Sequence, residues 1–152
     1  MNYEISNLYS SRIADSMDVI RDILAELWNY LADIDCNLKE PKEFLDYGAT
    51  GLTIQSKVTV KKIFVGIWLD CWRISGSPIC IIIESENEGK NLIYKKVLSD
   101  YCKQNESNGL KYIEVNELPC IILLESFFQD NLVVETLFNH IKEVGSKIDF
   151  TF

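Results

Sequence analysis

Residues Pro78–Ser85 read PICIIIES, and residues Pro119–Ser126 read PCIILLES. Each stretch is followed by a polar break and then a run opening on Asn-Leu: Asn91-Leu92-Ile93 and Asn131-Leu132-Val133. Internal similarity usually marks a repeated structural unit. Both stretches are strand-sized, β-branched and bounded by turn formers, and each is preceded across a turn by another apolar run. The unit therefore reads strand, turn, apolar strand, helix, and it occurs twice. Duplication of a ββα unit is one explanation. The plainer one is that two buried isoleucine-rich strands look alike.

Upstream of the first unit, VTVKKIFVGIWLDCW (Val58–Trp72) is rich in β-branched and aromatic residues. Phe64, Gly66 and Trp68 alternate with Ile63, Val65, Ile67 and Leu69, so both faces of this strand are apolar. Arg73–Pro78 is a turn by composition, and Ile79–Glu84 is the return strand. Strands apolar on both faces need cover twice. Helices serve one side; the other calls for the first helix wrapped round, a neighbouring subunit or a bound partner. Asn91 is a candidate cap for a helix whose apolar side is Ile93, Val97, Leu98 and Tyr101. The second unit then runs through strand Leu110–Val115, turn Asn116–Leu118 and strand Cys120–Glu125. Its helix spans Asn131–Val144, with Val133, Val134, Leu137, Phe138, Ile141 and Val144 as the stripe and Gly145 as the stop.

The clearest helix lies nearer the start, over Ser10–Asp35. Ile13, Met17, Ile20, Leu24, Leu27, Leu31 and Ile34 alternate at four and three residues, and Ile23 and Trp28 widen that face. Ser10 or Ser11 suits its cap, and Pro41 limits its extent. Between Cys36 and Ser56 a loop carrying Phe44, Leu45 and Tyr47 leads to a weak strand over Leu52–Gln55. Gly48-Ala49-Thr50-Gly51 lacks the lysine, the preceding buried strand and the helix of a phosphate loop.

The expected fold is thus α+β: a single antiparallel sheet of about five strands with three helices, ordered α-βββ-α-ββ-α. One domain accounts for residues 1–152. This element order resembles that of the class I chaperones of type III secretion systems, small acidic dimers. What the resemblance implies is a sheet-and-helix fold that dimerises and wraps an extended partner segment. It is carried by element order, not by any motif.

Composition narrows the function classes. The chain holds 15 basic and 23 acidic residues, a net charge of −8. Nucleic-acid binders and proteins of anionic membrane surfaces usually show the opposite balance, so neither is an expected partner. No apolar run reaches the roughly 18 residues of a membrane span, and the amino end has no signal-peptide pattern. Cys36, Cys71, Cys80, Cys102 and Cys120 are odd in number and lack CxxC spacing, which points to buried free thiols in a reducing cytoplasm. His140 stands alone among histidines, so neither zinc nor a Cys–His nucleophile pair is expected, and no cofactor fingerprint occurs.

Three groups remain as candidate sites. Asp15, Asp18, Asp22 and Glu26 fall at helical spacing, a solvated acidic stripe or a contact for a basic partner. Trp68 and Trp72, four apart in the first hairpin, would share one face of a strand; Trp68 suits the core, Trp72 an interface anchor. Asp70 and Glu84, each ending a strand, could hold a divalent metal in a degenerate nuclease-like site, although Glu86 stands where PD-(D/E)XK nucleases place lysine. The reading these features favour is a non-enzymatic, homodimeric protein-binding module of chaperone, adaptor or immunity type. Its contacts would be Leu24, Leu27, Trp28 and Leu31, or the Trp68–Trp72 edge. The alternatives are an acidic inhibitor that imitates nucleic acid through the Asp15–Glu26 stripe, and the nuclease-like domain.

Overall fold

The computed structural model describes residues 13–39, 48–85, 88–129 and 131–152. The cap expected of Ser10 or Ser11, and the apolar residues Phe44, Leu45 and Tyr47, lie outside them. Within the described residues the chain forms helix α1 (Ile13–Asp33), strands β1 (Asn37–Lys39), β2 (Ala49–Gln55) and β3 (Lys62–Trp68), and the short helix α2 (Leu69–Ser75). Strand β4 (Cys80–Glu84), helix α3 (Glu88–Gln104), strands β5 (Leu110–Val115) and β6 (Leu118–Leu123), and helix α4 (Val133–Lys147) follow.

One antiparallel sheet takes all six described strands in the order β1-β2-β3-β4-β6-β5. The α+β class and the antiparallel sheet agree with the sequence reading. The element count differs, because β1 has only three residues and α2 only seven, too few for either periodicity to register. The expected turn at Arg73–Pro78 is mostly the end of α2, which closes on Gly76 in the left-handed conformation. Gly48-Ala49-Thr50-Gly51 leads into and opens strand β2.

Period-two alternation splits the sheet into two buried faces. Leu52, Ile54, Ile63, Val65, Ile67, Ile81, Ile83, Ile121 and Leu123 share one core with residues of α1, α3 and α4. Cys80, Ile82, Cys120, Ile122 and Val115 form a second, smaller core on the opposite face, joined by Cys71 of α2. All three long helices therefore lie on one face. Helix α1 packs on β2, β3 and α4, and α3 packs on β5, β6 and α4. The Tyr30 and Phe138 rings meet 5.3 Å apart between α1 and α4.

The buried stripe of α1 is turned slightly from the expected one. Ser16, Val19, Ile20, Ile23, Leu27 and Leu31 are its buried line, while Met17, Leu24 and Trp28 are half-buried on a flank and Ile34 is exposed. In α3, Tyr94, Leu98, Tyr101 and Cys102 face the core, and Ile93 is 62% exposed rather than on the apolar side. Helix α3 begins at Glu88, so Asn91 sits within its first turns rather than at its cap. Helix α4 runs past Gly145, where the missing Cβ makes room for the Phe152 ring; a Cβ there would lie 2.4 Å from it. The β5–β6 turn has Asn116 and Glu117 both at positive φ, 50° and 67°, as a two-residue type I′ hairpin requires.

Candidate functional site

The helical layer ends over β2, and this leaves a groove. On one side stand Met17, Leu24, Ala25 and Trp28 from the flank of α1; on the other are Thr50, Gly51 and Leu52 of β2 with Ile67 of β3. The cavity holds about 550 Å³, within the range of small-ligand and side-chain pockets. Its walls are overwhelmingly apolar. Asp18 and Arg21 stand at its rim, with Arg21 Nη2 3.6 Å from Asp18 Oδ1 and Nε 3.8 Å from Asp22 Oδ1. Three of the expected contact residues (Asp18, Leu24 and Trp28) thus meet at one place, because Asp18, Arg21, Leu24 and Trp28 follow one another at three, three and four residues along one flank of the helix.

The floor of the groove follows from two glycines. Gly51 and Gly66 are cross-strand partners, and the strands approach so closely there that a Cβ on Gly51 would lie 2.2 Å from the Val65 carbonyl oxygen. A Cβ on Gly66 would lie 2.4 Å from that of Thr50. Side chains are excluded at this pair, so the β2 backbone itself forms part of the wall.

Other expected contacts lie elsewhere. Leu27 and Leu31 are fully buried within the chain, packed in the core beneath α1, so they are not available to a partner. Trp68 and Trp72 do not share a strand face. The chain turns into α2 after Trp68, which sends Trp68 to the smaller core and Trp72 against the larger one. Both are half-buried. Asp15, Asp18, Asp22 and Glu26 do lie along one side of α1, with Asp18 and Asp22 exposed and Asp15 and Glu26 half-exposed.

The paired-carboxylate arrangement is separated by strand direction. β3 and β4 are antiparallel, with Glu84 opposite Lys62, whereas Asp70 lies beyond Trp68 at the other end of β3. At roughly 3.3 Å per residue the two acids stand about 20 Å apart or more. Asp70 instead accepts from Arg73 Nη2 at 3.4 Å. Among the described residues, no group of three or more His, Cys, Asp and Glu side chains is arranged to hold a metal ion.

Two polar or soft clusters were not visible as units in the sequence. Tyr101 of α3 donates its hydroxyl to Glu143 Oε2 of α4 at 2.9 Å and lies 2.5 Å from His140 Nδ1. With that proton committed to Glu143, Nδ1–H is the donor to the phenol oxygen. Burial lowers the His140 pKa against the opposing pull of Glu143, and burial followed by Glu143 raises that of Tyr101. The trio staples α3 to α4. The second cluster is Cys71, Cys80 and Cys120 on the back of the sheet. The signal available for two of its members was parity: Cys80 and Ile82 face the same way, as do Cys120 and Ile122. The groove residues Met17, Arg21, Ala25, Thr50, Gly51, Leu52 and Ile67 carried no such signal, since β2 had to be placed beside α1 first.

No family model, curated protein or solved structure matches the chain. The likeness to class I secretion chaperones accordingly rests on element order alone.

Proposed function

We propose that the protein is a non-enzymatic module that binds a protein partner, receiving in the α1–β2–β3 groove a segment with an apolar anchor flanked by basic residues. The observation that carries this is the groove: about 550 Å³ of apolar cavity beside an acidic helix face. Leu24, Trp28 and Leu52 supply apolar area, Asp18 at the exposed border supplies complementary charge, and Asp22 adds to it beside the lining residue Arg21. A homodimer and a cytoplasmic setting belong to the same proposal. Ile74 of α2 is 62% and Leu69 37% exposed, and symmetric pairing is a common way to cover such residues.

Imitation of nucleic acid is the alternative use of the acidic stripe. Arg21, bridged to both Asp18 and Asp22, dilutes the charge density on which such imitation depends. The ββα duplication is likewise a proposal, supported by topology. β4 and β6 are antiparallel neighbours with Ile81 opposite Ile121, an arrangement in which a two-fold axis would carry the β3–β4 pair onto the β5–β6 pair.

The test is selection from a displayed peptide library against the full chain and against Ala25→Arg, which fills the groove from an exposed helix position. Enriched peptides should combine an aromatic or aliphatic anchor with Lys or Arg and lose at least tenfold in affinity for the variant. Charge reversal at Asp22 should weaken the same peptides at unchanged melting temperature. Equal binding to the wild type and Ala25→Arg removes the groove from consideration. Light scattering on the eluting protein checks the dimer, and a strict monomer at high micromolar concentration removes that part.

A further inference from the structure

Cys71 of α2, Cys80 of β4 and Cys120 of β6 converge from three elements, each no more than 1% exposed. Cys71 packs with the other two in the smaller core, and Ser75 Oγ donates to the Cys71 carbonyl oxygen at 2.7 Å. The two strand cysteines contact backbone oxygens, Cys80 Sγ that of Gly66 and Cys120 Sγ that of Leu118, both at 3.5 Å. Their register keeps them apart, because Cys80 lies opposite Ile122 and Cys120 opposite Ile82. Such diagonal neighbours stand about 7–8 Å apart, too far for a disulfide, whose Cβ atoms approach to about 4 Å. Cys71 comes from a third element and packs in one cluster with both.

We propose that Cys71 is an oxidation site, at which a peroxide drives formation of a disulfide to Cys120 or Cys80 that ties α2 to the sheet. The Cys71 sulfur attacks a peroxide oxygen and the O–O bond breaks; the released hydroxide takes a proton and leaves as water, and Cys71 becomes a sulfenic acid. The sulfur of Cys120 or Cys80 then attacks the Cys71 sulfur. The S–O bond breaks, and the departing hydroxide leaves as water with the proton of the attacking thiol. Two thiols and one hydrogen peroxide give one disulfide and two waters.

The electrostatics suit this order of events. The neighbouring Cys120 and Cys80 thiols lower the Cys71 pKa, while proximity to Cys71 and burial raise those of the other two. These opposite directions make Cys71 the sulfur of the three that ionises first, and the thiolate is the nucleophile. Entry is provided by α2 itself, a helix of seven residues with Arg73 and Ile74 facing solvent and a glycine at its end. A helix of two turns, with Cys71 its one fully buried side chain and Trp72 half-buried, opens locally at lower cost than the long helices. The remaining cysteines serve as controls. Burial pushes the Cys102 thiol up to about 12, and burial ahead of other causes raises that of the more exposed Cys36.

The experiment treats the reduced full chain with hydrogen peroxide below its unfolding transition, alkylates remaining thiols and maps peptides without reduction. The expected product is a peptide containing Cys71 joined to one containing Cys120 or Cys80, with a loss of 2 Da and recovery on reduction. Cys71→Ala should leave Cys80 and Cys120 fully alkylatable on denaturation. The proposal falls if Cys36 alone is oxidised, or if Cys80 and Cys120 join each other. It also falls if the cross-link forms only in denaturant that unfolds the chain. Should Cys71→Ala fold poorly, Cys71→Ser supplies the same comparison.

Discussion

Replacing Lys61 with methionine tests how the end of α4 is held. Lys61 is only 4% exposed and is held by backbone carbonyls: Nζ donates to that of Ile148 at 2.6 Å and to that of Asp149 at 3.4 Å. The ammonium also lies 4.9 Å from the centre of the Tyr94 ring. These carbonyls follow the last turn of α4, the negative end of its dipole. Methionine keeps the length and apolar stem but leaves the Ile148 carbonyl without this donor. Losing a hydrogen bond from a charged donor costs about 1.5–3 kcal/mol. The lost cation–π contact adds roughly 0.5–1 kcal/mol. Relief from burying an ammonium opposes both, so the net loss is set at about 2 kcal/mol. For a chain of this size that lowers Tm by roughly 4–8 °C. Urea denaturation of the wild type, Lys61→Met and Lys61→Arg measures it. Raising salt should barely alter the difference, since buried contacts are poorly screened. Hydrogen exchange should quicken locally over residues 148–152, where Ile148 and Phe150 N–H both donate to the Gly145 carbonyl, at 3.2 and 2.9 Å. Equal or greater stability of Lys61→Met, with unchanged exchange in that segment, would refute the reasoning.

Four further outcomes are expected. The folded-state pKa of His140 lies below its ordinary 6.5, so the unfolded chain takes up the proton first. Stability is therefore full above that pH and is lost as pH falls toward the folded-state value; a urea series should show the slope, and His140→Gln should flatten it. Gly66→Ala should cost about 1–3 kcal/mol in the same assay, because its Cβ meets the backbone of Thr50 and Gly51, which cannot rotate away. Leu27→Ala should cost about 2–5 kcal/mol by leaving a cavity, against under about 1.5 kcal/mol for the half-buried Leu24→Ala, as read by thermal denaturation. Glu117→Gly should raise stability by about 1 kcal/mol, since glycine takes positive φ at the second turn position without strain.

Much of the fold was legible because burial leaves a periodic trace. The spacing of Ile20, Ile23, Leu27 and Leu31 records a helix lying on a sheet, and alternation through Ile63, Val65 and Ile67 records a strand covered on both sides. Both hairpin strands of the second unit lie within two residues of where the pattern put them. The misplaced pieces are those too short to carry a period. LDCW reads as more strand and RIS as the start of a turn, yet together they fold as α2 and part Trp72 from Trp68.

The candidate site was less legible. Leu24, Trp28 and Asp18 were identified as residues of one helix, but their partners Thr50, Gly51, Leu52 and Ile67 come from strands whose place beside α1 no local pattern states. The sequence by itself determined the class of the fold and most of the buried faces of its elements. Strand order and direction were decided by the tertiary structure alone. Antiparallel β3 and β4 carried Asp70 and Glu84 to opposite ends, and adjacent β4 and β6 brought Cys80 and Cys120 to Cys71. Periodicity reports which side of an element is buried. It holds no information about which neighbour does the burying, and every site in this protein is made between neighbours.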